Sequence, residues 1–184
     1  MFRRKNSQQA SERATEYATC KDFQQIFYEE MPSLHQLAYL LTADSVKAEQ
    51  CFVAGLDDSI HSNPVFKQWA RVWSKRAVIQ NAIKAMSPMK VREGQERAAS
   101  PETGSVPPLV ALVMQWPAFE RFVFVMAVLE GYSIRECAAM LACSDREIIA
   151  TKSHVLQRLG ASEGAAALDK TGIWTALLAK VQVA

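Results

Sequence analysis

The sequence predicts an all-α protein of two small helical domains joined by a flexible linker, the second of them a helix-turn-helix. Three observations carry this. Apolar residues recur at helical spacing along most of the chain, and no stretch alternates as a strand would. Two serine–glutamate capping boxes, Ser133 to Glu136 and Ser144 to Glu147, start eleven residues apart near the C-terminus. Between them and the first half lies a stretch from Ser87 to Pro108 punctuated by Ser87-Pro88, Gly94, Ser100-Pro101, Gly104-Ser105 and Pro107-Pro108, which suits a linker and no regular element.

The elements follow in order. Residues 1–18 are polar and read as a frayed tail. From Asp22, the apolar positions Phe23, Ile26, Phe27, Leu34, Leu37, Ala38 and Leu41 keep helical register, with Pro32 splitting or kinking the run. A second helix capped by Asp44 or Ser45 carries Ala48, Cys51, Phe52, Leu56 and Ile60. Asn63-Pro64 pairs a good cap with a proline suited to the first helical position, and predicts a helix starting there and running through Phe66, Trp69, Val72, Trp73, Ile79 and Ile83. Residues 19–86 thus form one helical unit and 87–108 the linker.

The second unit spans 109–160. A helix from Pro117 to Glu130 presents Phe119, Phe122, Val123, Met126 and Leu129, and Gly131 ends it as a left-handed cap. The two capping boxes then leave a short helix from Ile134 to Ala142, a tight connection at Cys143 and a longer helix from Asp145 to Leu159. That arrangement lays its second helix in a DNA groove. Residues 161–184 add a C-terminal extension with an amphipathic stripe of Ile173, Trp174, Leu177, Leu178 and Val181.

The chain has 184 residues, 49% hydrophobic and 22% charged, with a net charge of +2. Any nucleic-acid surface must therefore come from local clustering of charge. No apolar run approaches the roughly 18 residues needed to cross a bilayer, and Met1 to Lys5 leads into polar residues without the apolar core of a signal peptide. These features predict a cytoplasmic protein without membrane partners. The four cysteines make no CxxC pair and the three histidines are scattered, so neither metal nor disulfide is expected. No phosphate-binding glycine loop, GxSxG or HExxH occurs, and Asp57-Asp58 is an isolated acidic pair. No catalytic residue, enzymatic activity or cofactor is predicted.

The strongest functional signal lies between Val65 and Arg92, which holds seven Lys or Arg residues and no Asp or Glu. Lys67, Arg71 and Lys75 recur every four residues, so a helix lines them along one side. Trp69 and Trp73 recur at the same spacing, placing an aromatic stripe beside the cationic one. Such a surface suits a phosphate backbone with bases free to stack on the rings. The competing reading is an amphipathic helix with core tryptophans and cations that are merely solvated.

The second helix of the helix-turn-helix presents less. Ile148, Ile149, Lys152, Val155, Leu156 and Leu159 are expected on its packed side, leaving Lys152 to reach out or find a partner. Arg146, Ala150, Ser153, His154 and Gln157 face outward, with a single permanent cation among them. A groove-reading helix usually brings more donors than this to bases and phosphates. A helical hairpin that only packs is the alternative.

The order of these parts resembles the extracytoplasmic-function branch of the bacterial sigma-70 family, over roughly Asp22 to Leu159. Trp116-Pro117-Ala118-Phe119-Glu120-Arg121-Phe122-Val123-Phe124 is similar to the family's Leu-Pro, charged, Val-Phe opening. Leu129-Glu130-Gly131-Tyr132-Ser133-Ile134-Arg135-Glu136-Cys137-Ala138 is similar to its Leu-Glu-Gly-Leu-Ser, Glu-Ile-Ala stretch. In the first half Pro32, Leu34, Leu37, Ala38, Ala48-Glu49, Phe66 and Trp69 fit a similar pattern.

The resemblance implies a factor that binds the RNA polymerase core and promoter DNA to direct transcription initiation. It implies that Lys67, Arg71, Lys75, Arg76 and Asn81, with Trp69 and Trp73, face the opened minus-ten strand. Ser144, Arg146, Glu147, Ala150, Thr151, Ser153 and His154 would lie at the minus-thirty-five groove, and Glu49, Phe52, Val53, Leu56 and Asp57 at the polymerase clamp. The chain departs from the family where Gln50-Cys51-Phe52-Val53-Ala54-Gly55-Leu56 stands in place of Asp-Leu-Val-Gln-Glu-Ala-Phe. It departs again where Ile149 and Thr151 replace basic residues and Lys152 replaces a leucine. A second expectation is therefore a sigma mimic that keeps the fold but acts by protein contact, for instance with an anti-sigma factor, using residues 173–181 as an added docking surface.

Overall fold

A computed structural model describes residues 16–88 and 108–161. The tail up to residue 15, most of the expected linker and the stripe at 173–181 lie outside the described residues. What is described is all-helical, apart from one isolated bridge between Tyr17 and Phe66.

Helix α1 (Cys20–Glu29) starts at a capping box that the sequence reading passed over. Thr19 Oγ1 accepts from the Asp22 amide, and the Asp22 carboxylate accepts from the Thr19 amide at 2.7 Å. Pro32 splits the run that follows. It occupies the first turn of α2 (Met31–Thr42), where its missing N–H costs nothing. Asp44, of the two candidates, caps α3 (Ser45–Ile60) by accepting from the Lys47 amide at 3.0 Å.

The helix expected from Asn63-Pro64 does not begin there. Residues 63–66 form no helix because Tyr17 and Ala18 hold Val65 and Phe66: the Ala18 amide donates to the Val65 carbonyl at 2.7 Å, and the Tyr17 and Phe66 rings stack at 4.7 Å. Tyr17 and Ala18, assigned to the frayed tail, are thus tied down. A 3-10 turn over Lys67–Trp69 then leads into α4 (Ala70–Met86).

Helix α2 is the hub. Leu34, Leu37, Ala38, Leu40 and Leu41 are all buried, so it is enclosed on several sides. Burying each such leucine contributes about 1.5–3 kcal/mol. Helices α3 and α4 cross closely at Gly55, where a Cβ would come within 2.8 Å of Val78 Cγ2 and 3.1 Å of the Val78 amide nitrogen. Residues of α2 also meet the second half, through Val110, Val113 and Met114 of α5 (Pro108–Met114) and Phe119, Phe122 and Val123 of α6 (Ala118–Phe124). Buried side chains of both halves form one continuous apolar cluster.

Arg121 pins this junction. Its guanidinium is buried and donates to the Leu41 carbonyl at the end of α2 from Nε and Nη2, at 3.2 and 3.1 Å, and to the Trp116 carbonyl from Nη1 at 3.0 Å. A cation at a helix C-terminus meets carbonyls that lack intrahelical partners.

The helix expected to run from Pro117 to Glu130 starts as α6 and ends differently. Over Val125–Leu129 it widens into a π-helix, so Glu130 donates to the Val125 carbonyl and Tyr132 to that of Met126. Gly131 closes it at φ +76°, as its position predicted. Ser133 and Glu136 then form the expected capping box of α7 (Ile134–Leu141). Ala142 takes the left-handed cap at φ 53°, and Cys143 donates back to the Ala138 carbonyl. The second box opens α8 (Asp145–Ala161), with the Ser144 amide donating to Glu147 at 3.0 Å.

Candidate nucleic-acid interface

The basic helix is built around its buried side. Ala70, Ser74, Ala77, Val78 and Ala82 face the core, and the buried Ser74 hydroxyl is satisfied by the Ala70 carbonyl at 2.9 Å. The remaining positions of the first turns must then point outward. Trp69 is 61% exposed, Val72 64% and Trp73 38%. The tryptophans are therefore not core, which removes the premise of the competing reading. Trp69 also meets Phe66 in a T-shaped contact, with ring centroids 6.1 Å apart.

The cations behave in the opposite way. Lys67 lies 3.5 Å from Asp22, Arg71 clamps Glu29 and Glu30 together, and Lys75 reaches Glu130 at 3.2 Å. Asn81 donates to Asp58 at 2.9 Å, and Lys84 joins the same carboxylate at 3.3 Å. The stripe that looks uncompensated in sequence is matched in space by carboxylates from α1, α3 and the Glu130 turn. The Glu136 carboxyl is held low first by its hydrogen bonds from Ser133, with a smaller pull from the charge of Arg76. The pairing is reflected in Glu29, whose carboxyl is held low by Gln25 and then by Arg71, and in Asp58, held low first by Asn81. Exposed pairs of this kind contribute little and are screened by salt, so phosphates can compete for the cations of Lys67 and Arg71.

The candidate polymerase surface divides. Glu49, Val53 and Asp57 recur every four residues and are exposed on one face of α3, with Val46 completing it. Asp57 also pairs with His61 at 3.2 Å. Phe52 and Leu56 turn the other way and pack on the core, Phe52 lying edge-on to Phe27 at 5.3 Å.

The candidate groove residues are likewise sorted. Ser144 and Glu147 are engaged in the capping box. His154 Nδ1 lies 3.4 Å from Glu120, which Arg158 also holds at 2.6 Å while covering the Trp116 ring. Thr151 is half-buried, whereas Arg146, Ala150 and Ser153 are exposed. Two of the residues expected on the packed side are not there: Ile149 and Leu156 stand exposed, and only Ile148, Val155 and Leu159 are buried. Seven residues make about two turns, so Ile149 and Leu156 share one edge of the helix. Among the described residues α8 packs chiefly on α6 and α7.

Sequence reading missed the acidic partners Asp22, Glu29, Glu30, Asp58 and Glu130. They stand 26 to 55 residues from the cations they meet, and no local spacing signals such pairs. The modest net charge of +2 was the one hint that the clustered cations have counterparts.

Among the described residues no group of three or more His, Cys, Asp or Glu could hold a metal ion, and no helix is long and apolar enough to cross a membrane. Comparison with protein-family models, with curated proteins and with solved structures found no match to this chain.

Proposed function

We propose that this chain is a sigma-like transcription factor that binds the RNA polymerase core and promoter DNA to direct initiation. The observation that carries the reading is the exposure of Trp69 and Trp73 on the 3-10 turn and first turns of α4, which also bear Lys67, Arg71 and Arg76. Exposed tryptophans beside weakly held cations are what an unpaired strand needs, stacking its bases on indoles while phosphates take the charges. The exposed face of Glu49, Val53 and Asp57 supports a separate polymerase contact on α3.

A geometric requirement comes with this reading. Elements at minus ten and minus thirty-five are about 25 base pairs apart, or about 85 Å of duplex at 3.4 Å per pair. A compact chain of this size is only about 40 Å across. The two halves, which share a core here, must separate to occupy both elements at once.

The second reading, a sigma mimic working by protein contact, is favoured by the outer face of α8. Ile149 and Leu156 are exposed where a groove reader would carry cations. Co-purification with core polymerase, followed by promoter-dependent transcription in vitro, separates the two. Stable polymerase binding with promoter-specific transcripts supports the first. Absence of both, together with no DNA binding at low salt, overturns it.

A further inference from the structure

Glu130 is a nearly buried acidic residue at a helix C-terminus. Its side chain is 8% exposed, and it sits at the C-terminal end of the π-widened helix, where carbonyl dipoles gather negative charge. The counter-charge comes from the other half of the molecule: Lys75 Nζ of α4 lies 3.2 Å from Glu130 Oε2. Next to it, burial and then the Glu130 charge push the Tyr132 phenol up to about 12. Arg76, one residue on, lies near Tyr132 and Glu136. Lys75 of the basic helix therefore holds the turn that opens the helix-turn-helix.

We propose that Lys75 and Glu130 form a clasp between the basic helix and the helix-turn-helix half, and that a nucleic-acid phosphate taking Lys75 loosens the docking of the Glu130 turn. The clasp is asymmetric. Removing Lys75 strands a nearly buried carboxylate, whereas neutralising Glu130 removes the group that needs a partner. Phosphate binding on α4 and docking of the Glu130 turn therefore oppose each other, and by linkage each weakens the other by the same factor. The clasp stands independently of what α4 binds; its regulatory meaning rests on the nucleic-acid reading above.

Amide hydrogen exchange on the full chain tests it, read at Glu130, Tyr132 and Cys137, whose amides are bonded across or beside this turn. Lys75→Ala is expected to speed exchange there by about tenfold or more, while Lys75→Ala combined with Glu130→Gln returns it close to wild type. Unchanged exchange in Lys75→Ala, or a double variant as open as the single, overturns the clasp. If Lys75→Ala does not fold, acylation footprinting decides: Lys75 should react several-fold faster in Glu130→Gln than in wild type, and equal rates overturn the proposal. A fluorescent single-stranded oligonucleotide, expected to bind Glu130→Gln several-fold more tightly, forms the separate arm. No oligonucleotide binding by either protein, with the exchange pattern as expected, removes the nucleic-acid reading and leaves the clasp standing.

Discussion

Lys152 donates from Nζ to the carbonyl oxygen of Ala127 at 3.4 Å, reaching from the packed side of α8 into the π-helical end of α6. A lysine among apolar residues must find an acceptor, and the widened turn leaves one. The contact ties the second helix of the helix-turn-helix to the preceding helix. Lys152→Met keeps the stem and loses the donor, and should lower stability by about 1 kcal/mol in urea unfolding. Unchanged stability means that the carbonyl is satisfied without it.

Gly55 is required by the crossing of α3 and α4. Alanine would gain about 1 kcal/mol of helix propensity, yet its Cβ would meet both the Val78 side chain and its backbone nitrogen. Backbone cannot step aside as a side-chain tip can, so overpacking of about 1–3 kcal/mol should win. Gly55→Ala is expected to be destabilised in thermal or urea unfolding. Combining it with Val78→Ala removes only the side-chain clash and should not restore the loss.

The capping boxes set an acid dependence. Glu136 is held below the ordinary carboxylate range by its hydrogen bonds from the Ser133 side chain and backbone, and Asp22 by those from Thr19. A carboxyl whose folded pKa is lowered adds stability above its unfolded pKa, and that contribution is lost as pH falls through the folded value. Stability should therefore decline below about pH 4–5, and Glu136→Gln should fall less steeply than wild type over that window. Equal slopes from pH 6 to 3 would show that the box does not contribute.

Much of this architecture is legible in local sequence. Ser133, Ser144, Gly131 and Pro32 act within one turn of themselves, and each does what its position implies. Asn63-Pro64 misleads because a backbone bond from Ala18, far off in sequence, ties down Val65. The site is less legible for the same reason. Trp69 and Trp73 look equally apt for core or surface until Ala70, Ser74 and Ala77 are seen to fill the buried face. Lys67, Arg71 and Lys75 look uncompensated until distant carboxylates fold against them.

The paired stripe makes a quantitative prediction about salt. Phosphates that displace Asp22 or Glu29 from Lys67 and Arg71 release carboxylates, which then attract counterions of their own. The slope of log affinity against log salt should thus be shallower than about −0.7 per cation contacted, the figure for single strands. Replacing Lys67 and Arg71 together with alanine should weaken binding and flatten the slope further. No change in either would reduce the stripe to a set of structural ion pairs.

Unpaired DNA is proposed to stack on Trp69 and Trp73 at the start of α4. The most direct test is a fluorescence-anisotropy titration at low salt of a promoter fragment with a single-stranded segment, comparing wild type with Trp73→Ala and with Trp69→Ala plus Trp73→Ala. Stacking worth about 1–3 kcal/mol per base predicts a loss of about fivefold to more than a hundredfold for each indole removed, with circular dichroism checking that each variant is folded. Equal affinity in all three proteins, or no binding by wild type, would contradict the account.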